Sequence, residues 1–165
     1  MNFEEYIKEN HKEFTDKVKE ICDKLNIDEN WLMFVMYFES AKSFRANKVN
    51  PVSGATGLIQ FMPTTARALG TTTSALAKLT NVQQLDFVYE YLKPFKYKMN
   101  SWIDVYLAVF YPKAMNKGDN YTITADIIAK QNPGFDINKD KDITVAEIKT
   151  ALRKNIPEKY KNDYK

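Results

Sequence analysis

The sequence contains very little cysteine and histidine, the two residue types that build most zinc and thiol sites. Cys22 is the only cysteine and His11 the only histidine among 165 residues. A disulfide within the chain is therefore excluded, and so is a zinc site built from these two residue types. A Ser-His-Asp triad would have no choice of histidine, and His11 lies in a polar stretch typical of a solvated surface. Cys22 falls in an amphipathic helical pattern, and we expect it to be a small core residue.

Long apolar runs and strong charge are absent as well. No stretch approaches the about 20 apolar residues that a membrane-spanning helix needs. Residues 1–13 are polar and lack the apolar segment of a signal peptide. The net charge is +3, and the lysines are spread along the chain, which argues against a nucleic-acid surface. We therefore expect one globular domain with no membrane span, no signal peptide and no nucleic-acid partner.

Apolar residues recur at helical spacing along most of the chain. Asp28 is the expected N-cap of a helix that is apolar nearly all round and is therefore central and buried. Thr80 and Gln83 have the spacing of a capping box. The predicted helices run from about Phe3 to Leu25, Asp28 to Ala41, Pro63 to Gly70, Thr80 to Pro94 and Ser101 to Pro112.

The stretch 44–62 interrupts this helical pattern. It contains the turn signals Asn50-Pro51 and Ser53-Gly54, so we predict irregular backbone, with short extended pieces from about Gly57 to Phe61. The fold class that follows is mostly α, with at most a small β element.

The C-terminal region has a different composition. The sequence 132–134, Asn-Pro-Gly, breaks the chain, and an acidic loop follows it. Thr144 and Glu147 have the spacing of a capping box that opens a final helix. The charged tail from Pro157 to Lys165 is predicted to fray. We therefore divide the chain into a main domain, 1–120, and a C-terminal appendage, 121–165, that packs on it.

Glu39 is the carboxylate that stands out. It follows Val35 by four residues and Met36 by three, so it shares a helix face with core residues. Burial disfavours the charged form of a carboxyl group, and a general acid must keep its proton near neutral pH. The alternative is a helix-end glutamate that reaches water or pairs with Lys42 or Arg45. Spacing alone favours that alternative, because structural networks also hold perturbed carboxylates.

The residues around Glu39 resemble a known family. Glu39-Ser40, Phe44, Asn50-Pro51 and then the run 54–66, Gly-Ala-Thr-Gly-Leu-Ile-Gln-Phe-Met-Pro-Thr-Thr-Ala, are similar to the signature of the soluble lytic transglycosylases. These enzymes are relatives of goose-type lysozyme. The resemblance covers about residues 28–115. It implies a lysozyme-like helical domain that cleaves peptidoglycan between N-acetylmuramic acid and N-acetylglucosamine.

The resemblance also implies roles for particular residues. Glu39 takes the place of the catalytic acid and base. The predicted substrate-binding residues are Ser40, Phe44, Gly57, Leu58, Gln60 and Tyr111. The family usually carries Tyr-Asn-Ala-Gly on a later helix, whereas the corresponding residues 108–112 here read Ala-Val-Phe-Tyr-Pro. Because that Asn is absent, Tyr111 or Phe110 is expected to take part of its role, with core packing as the alternative.

A second carboxylate would decide how the reaction finishes. The candidates are Asp86, Glu90 and Asp104, and each is also explained as a solvated helix charge or a cap. Two-carboxylate glycosidases hydrolyse the bond. The resemblance implies that one carboxylate is enough, with the substrate's own N-acetyl group or C6 hydroxyl as nucleophile and a 1,6-anhydro sugar as product. The sequence leaves both outcomes open.

The acidic loop resembles an EF-hand calcium loop. The predicted ligands are Asp136, Asn138, Asp140, Asp142, Thr144 and Glu147. Two features depart from the pattern: Lys141 occupies the usual Gly position, and Pro133-Gly134 interrupts the entering helix. The alternative is a charged surface turn followed by a capping box. We expect a structural Ca²⁺ that holds the appendage, and no cofactor for the chemistry.

The function predicted from the sequence is therefore peptidoglycan cleavage by a lytic transglycosylase or muramidase. The chain is expected to act as a monomer, made in the cytoplasm and acting on the cell wall as a phage lysin, a virion component or a bacterial remodelling enzyme. One alternative is a catalytically weak module that binds the wall or serves a structural role in a virion. Another is a chitin-cleaving relative.

Overall fold

The computed structural model of the chain describes residues 1–123 and 126–165. Most of the regular structure is helical, as predicted. The α-helices are α1 (His11–Leu25), α2 (Glu29–Glu39), α3 (Pro63–Ala68), α4 (Thr73–Ala77), α5 (Asn81–Leu92), α6 (Trp102–Phe110), α7 (Asp126–Gln131) and α8 (Val145–Arg153). Short 3₁₀ helices lie at Glu4–Tyr6, Lys93–Phe95, Pro112–Ala114 and Glu158–Tyr164.

The β structure in the described ranges is small. Strand β1 (Thr122–Ile123) pairs antiparallel with β2 (Ile143–Thr144), and Ile123 lies opposite Ile143. Two isolated bridges, Val49 with Thr56 and Thr56 with Phe61, fold the stretch 44–62 back on itself. The predicted fold class, mostly α with a small β element, is confirmed.

Helix α2 lies at the centre of the core, as its apolar composition predicts. Residues 32–37 of α2 are all buried, and so are residues 102–108 of α6, which packs beside it. Helix α1 packs on both α2 and α5. The end of α2 is therefore held on several sides, and Glu39 is its last residue.

The predicted helix caps are present. The Asp28 side chain accepts a hydrogen bond from the Asn30 N–H, at 2.7 Å. Thr80 with Gln83 and Thr144 with Glu147 both form complete capping boxes. Each cap satisfies N–H groups that a helix leaves unpaired at its start.

Two predictions about the chain ends are wrong. The helix expected from Phe3 begins only at His11, because Phe3 and Asn10 both adopt positive φ, at 65° and 52°, which ends regular helix. The tail predicted to fray is packed instead. Tyr164 is fully buried, and its hydroxyl donates to the Asn30 carbonyl at 2.7 Å.

None of the helices within 1–123 and 126–165 is both long and apolar enough to cross a membrane.

Candidate active site

Glu39 lies where the chain leaves helix α2. The next residue, Ser40, is fully buried, and its Oγ accepts a hydrogen bond from the Phe44 N–H at 2.9 Å. Ala41, Lys42 and Phe44 adopt positive φ, between 50° and 69°. This strained turn ends the helix abruptly, and the Glu39 side chain stays partly exposed at the end of an otherwise buried helix.

A cavity of about 300 Å³ opens beside Glu39. That volume lies at the lower end of the range for small-molecule sites. Its wall is mainly aromatic, and the rings of the wall also pack on each other: Tyr106 stacks on Phe110, with centroids 5.8 Å apart, and meets Phe38 edge to face at 5.7 Å. The lining residues are Phe38, Glu39, Tyr106, Phe110, Asn132, Gly134 and Phe135.

These apolar surroundings change the protonation of Glu39. Desolvation raises the pKa of its carboxyl group from 4.5 to about 8. At pH 7 about nine in ten copies would therefore carry the proton. Burial also raises the pKa of the neighbouring Tyr106, and the nearby Glu39 charge adds to that effect.

The part of the alternative interpretation that pairs Glu39 with Lys42 or Arg45 does not hold. The cations that could pair with it lie elsewhere: Arg45 contacts Glu9, at 3.5 Å, and the Lys42 ammonium lies 5.7 Å from the centre of the Tyr37 ring. Within 1–123 and 126–165, the Glu39 carboxyl group has neither an ion pair nor a hydrogen bond, and desolvation is the cause of its raised pKa.

The three candidate partner carboxylates are engaged in other contacts. Asp104 is buried and accepts hydrogen bonds from the Asn116 N–H and the Ser101 hydroxyl, at 2.9 and 2.7 Å. Asp86 pairs with Lys17 at 3.0 Å, and Glu90 lies 3.8 Å from Lys93. Of the described residues that line the cavity, Glu39 alone carries a carboxylate.

The segment 54–61 is held by a buried side chain from α5. Gln84 accepts a hydrogen bond from the Leu58 N–H at 2.7 Å and donates to the carbonyls of Ala46 and Leu76 at 3.0 Å each. Gly57 has a φ of +87°, and a Cβ there would lie 2.1 Å from the Gln84 side chain. Glycine is therefore required at position 57 for backbone conformation and for space.

The comparison with protein families agrees with this geometry. The family described as Transglycosylase SLT domain matches residues 16–123. The chain belongs to this family. Neither the curated proteins nor the solved structures contain a match. Members of the SLT family carry out lytic transglycosylase-type cleavage of peptidoglycan, and this general activity applies to the chain.

The other residues predicted from the SLT resemblance take different positions. Ser40, Phe44 and Leu58 have at most 1% of their surface exposed, backbone included, so these residues are closed to a ligand. Gln60 lines a separate, smaller cavity of about 40 Å³, and its Nε2 donates to the carbonyls of Lys48 and Gly57.

Near the expected Tyr-Asn-Ala-Gly position, Phe110 lines the Glu39 cavity, whereas Tyr111 is not among its lining residues. Sequence reasoning did not place Asn132, Gly134 and Phe135 at the site. These residues lie beyond the SLT match, and only the turn signal at 132–134 marks them in the sequence.

Hydrogen bonds between its own residues hold the predicted calcium loop together. Glu147 accepts hydrogen bonds from the N–H groups of Asn138 and Thr144, at 3.4 and 2.9 Å. Asn138 donates to Asp140 at 2.8 Å. Across the described ranges, no group of three His, Cys, Asp or Glu side chains is arranged to hold a metal.

Proposed function

We propose that this SLT-family protein cleaves peptidoglycan between N-acetylmuramic acid and N-acetylglucosamine, with Glu39 as the general acid and then the general base. The observation that carries the proposal is a carboxyl group with a pKa of about 8 at the edge of an aromatic cavity. A general acid works best when its pKa lies near the working pH, and this one is moved there by desolvation.

In the first step, the protonated Glu39 carboxyl gives its proton to the oxygen that links the two sugars. The bond from that oxygen to C1 of N-acetylmuramic acid breaks, and the N-acetylglucosamine end leaves as an alcohol. Positive charge then develops at C1. In the second step, the Glu39 carboxylate takes a proton from the attacking hydroxyl, which forms the new bond to C1 and returns Glu39 to its starting state.

The absence of a second carboxylate among the described cavity residues favours the substrate's own C6 hydroxyl as the attacking group. Asp86, Glu90 and Asp104 are held in contacts elsewhere. A hydrolase of the two-carboxylate kind needs a partner across the scissile bond. We therefore propose a lytic transglycosylase that forms 1,6-anhydro ends, with muramidase activity as the alternative outcome.

The test is the release of soluble muropeptides from insoluble peptidoglycan by the wild type, Glu39→Gln and a control, Glu13→Gln. Glu13 is exposed on α1. We expect Glu39→Gln to lose at least about a hundredfold in rate, the lower range of a general acid contribution, and the control to keep its rate. Equal activity in Glu39→Gln would exclude this role for Glu39. Wall binding without release by the wild type would instead support a binding module.

We also propose that the loop 136–147 binds one structural Ca²⁺. Asp136 Oδ1 is buried and has no hydrogen-bond partner in the described residues, so a cation would satisfy it. Lys141 already adopts the positive φ, 74°, that the sixth loop position requires. The carboxylates of the loop are not gathered around one point in the described structure, so the residues that would supply oxygen would draw together when the ion binds: Asp136, Asn138, Asp140, Asp142, Thr144 and Glu147.

The calcium proposal is tested by thermal melting in Ca²⁺ and in EDTA, with Asp136→Asn and the control Asp16→Asn. Binding to the folded state alone raises the melting temperature by mass action. We expect Ca²⁺ to raise it in the wild type and in Asp16→Asn, and to have little effect on Asp136→Asn. A wild-type melting temperature that is the same in Ca²⁺ and in EDTA would rule out the site.

A further inference from the structure

The cavity beside Glu39 is built from two parts of the chain. Phe38, Glu39, Tyr106 and Phe110 lie within the SLT match, which ends at residue 123. The rest of the wall comes from Asn132, Gly134 and Phe135, in the segment 132–135 beyond that match. We propose that this segment completes the substrate cleft and that Asn132 binds the acetamido group of the sugar beside the scissile bond. This inference rests on the proposed function.

Phe135 anchors the segment to the family domain. Only 8% of its surface is exposed. Its ring meets Tyr106 and Phe110 edge to face, with centroids 6.1 and 5.2 Å away. Edge-to-face aromatic pairs of this kind stabilise the fold by more than the burial of their apolar area alone would. The 132–135 segment is therefore fixed against the same two rings that form the cavity wall.

Residues 132–135 form a tight turn directly after helix α7. The Phe135 N–H donates to the Asn132 carbonyl at 2.9 Å, with Pro133 and Gly134 in the centre of the turn. The Asn132 Nδ2 donates to the Ile128 carbonyl, also at 2.9 Å, which ties the side chain to α7. Its Oδ1 accepts no hydrogen bond from the described residues and is free to accept one from a ligand.

The chemistry of this wall suits an acetamido group. Such a group offers an N–H donor, a carbonyl acceptor and an apolar methyl. The Asn132 Oδ1 can accept from the N–H, and the rings of Phe38, Phe110 and Phe135 offer an apolar surface for the methyl. Asn132 is neutral, so it binds the sugar without adding a charge that would pull the pKa of Glu39 down.

The first experiment measures binding in a Glu39→Gln background, so that turnover plays no part. The ligand is a soluble tetrasaccharide of alternating N-acetylglucosamine and N-acetylmuramic acid, or the same chain built from 2-deoxy sugars, which carry hydrogen in place of the acetamido group and so offer no N–H donor. We expect Asn132→Ala to weaken binding of the acetylated ligand about five- to tenfold, as loss of one ligand hydrogen bond does. It should change binding of the 2-deoxy ligand little. Gln131→Ala, an exposed amide one residue earlier, is the control and should change neither.

The second experiment fills the cavity. A Cβ on Gly134 would meet no atom within 4 Å, and Gly134 is not among the residues with positive φ, so the backbone there accepts a residue other than glycine. Gly134→Leu should keep the melting temperature of the wild type and weaken tetrasaccharide binding more than tenfold. An unchanged affinity would show that the ligand lies elsewhere.

Other outcomes distinguish the Asn132 proposal from the cleavage proposal. Equal weakening of both ligands by Asn132→Ala would make Asn132 a structural residue and overturn the inference, and so would no weakening of either. If Glu39→Gln binds the tetrasaccharide and loses affinity with Asn132→Ala, but the wild type releases no muropeptides, the inference stands and the cleavage proposal fails.

Discussion

The replacement Glu39→Gln should stabilise the protein, and the gain should grow with pH. The pKa of the Glu39 carboxyl is about 8 in the folded chain, against 4.5 for an unperturbed glutamate. The unfolded chain therefore loses this proton at a lower pH than the folded chain. Folding is penalised wherever the unfolded carboxyl is ionised, so stability falls as pH rises from about 4.5 to about 8.

The size of the penalty follows from the shift. At pH 7 the linkage relation gives about 3 kcal/mol, and above pH 8.5 it approaches about 5 kcal/mol. These values are upper limits, because the partly exposed carboxyl can draw water into the cavity. Glutamine has nearly the same shape and no charge to desolvate, so Glu39→Gln escapes the penalty. Below about pH 4 the two proteins should be equally stable.

The assay is urea unfolding of the wild type, Glu39→Gln and the exposed control Glu13→Gln, at pH 4, 7 and 8.5. The free energies of unfolding of Glu39→Gln and the wild type should be nearly equal at pH 4, and that of Glu39→Gln should be higher at pH 7 and by a wider margin at pH 8.5. The control should follow the wild type. Parallel curves for the wild type and Glu39→Gln would refute the raised pKa and with it the physical basis for the general acid.

Three further predictions concern the site and its support. In urea unfolding, Gly57→Ala should lower the free energy of unfolding by more than about 3 kcal/mol. Gly70 also has positive φ but has no atom near its Cβ, so Gly70→Ala should lower it by only about 1 kcal/mol. Tyr164→Ala should cost about 3 kcal/mol or more, and the exposed Tyr97→Ala almost nothing, by thermal melting. The cleavage rate should fall as pH rises through about 8, because Glu39 then enters the reaction without its proton.

The features predicted well from the sequence are local ones. A cap such as Asp28 depends on groups two residues away, and the apolar composition of residues 31–38 is enough to make α2 a buried helix. These features are determined within one or two turns of the chain, so the pattern of residues predicts them.

The features missed from the sequence are contacts between distant residues. Tyr164 is packed because it reaches Asn30, and nothing near the C-terminus signals that partner. Gly57 is glycine partly because Gln84 occupies the space of its Cβ. Asn132 reaches the Glu39 cavity through the packing of Phe135 on α6. No local pattern encodes such contacts, because they follow from how the elements pack.

The most direct test of the central claim is the mass of the glycan ends that the protein leaves on peptidoglycan. The wild type should produce muropeptides that end in 1,6-anhydro-N-acetylmuramic acid, each lighter by one water than its hydrolysed counterpart, and Glu39→Gln should produce none. Hydrolysed reducing ends, dependent on Glu39, would keep the general acid and overturn the transglycosylase outcome. Anhydro ends from Glu39→Gln at the wild-type rate would contradict the account.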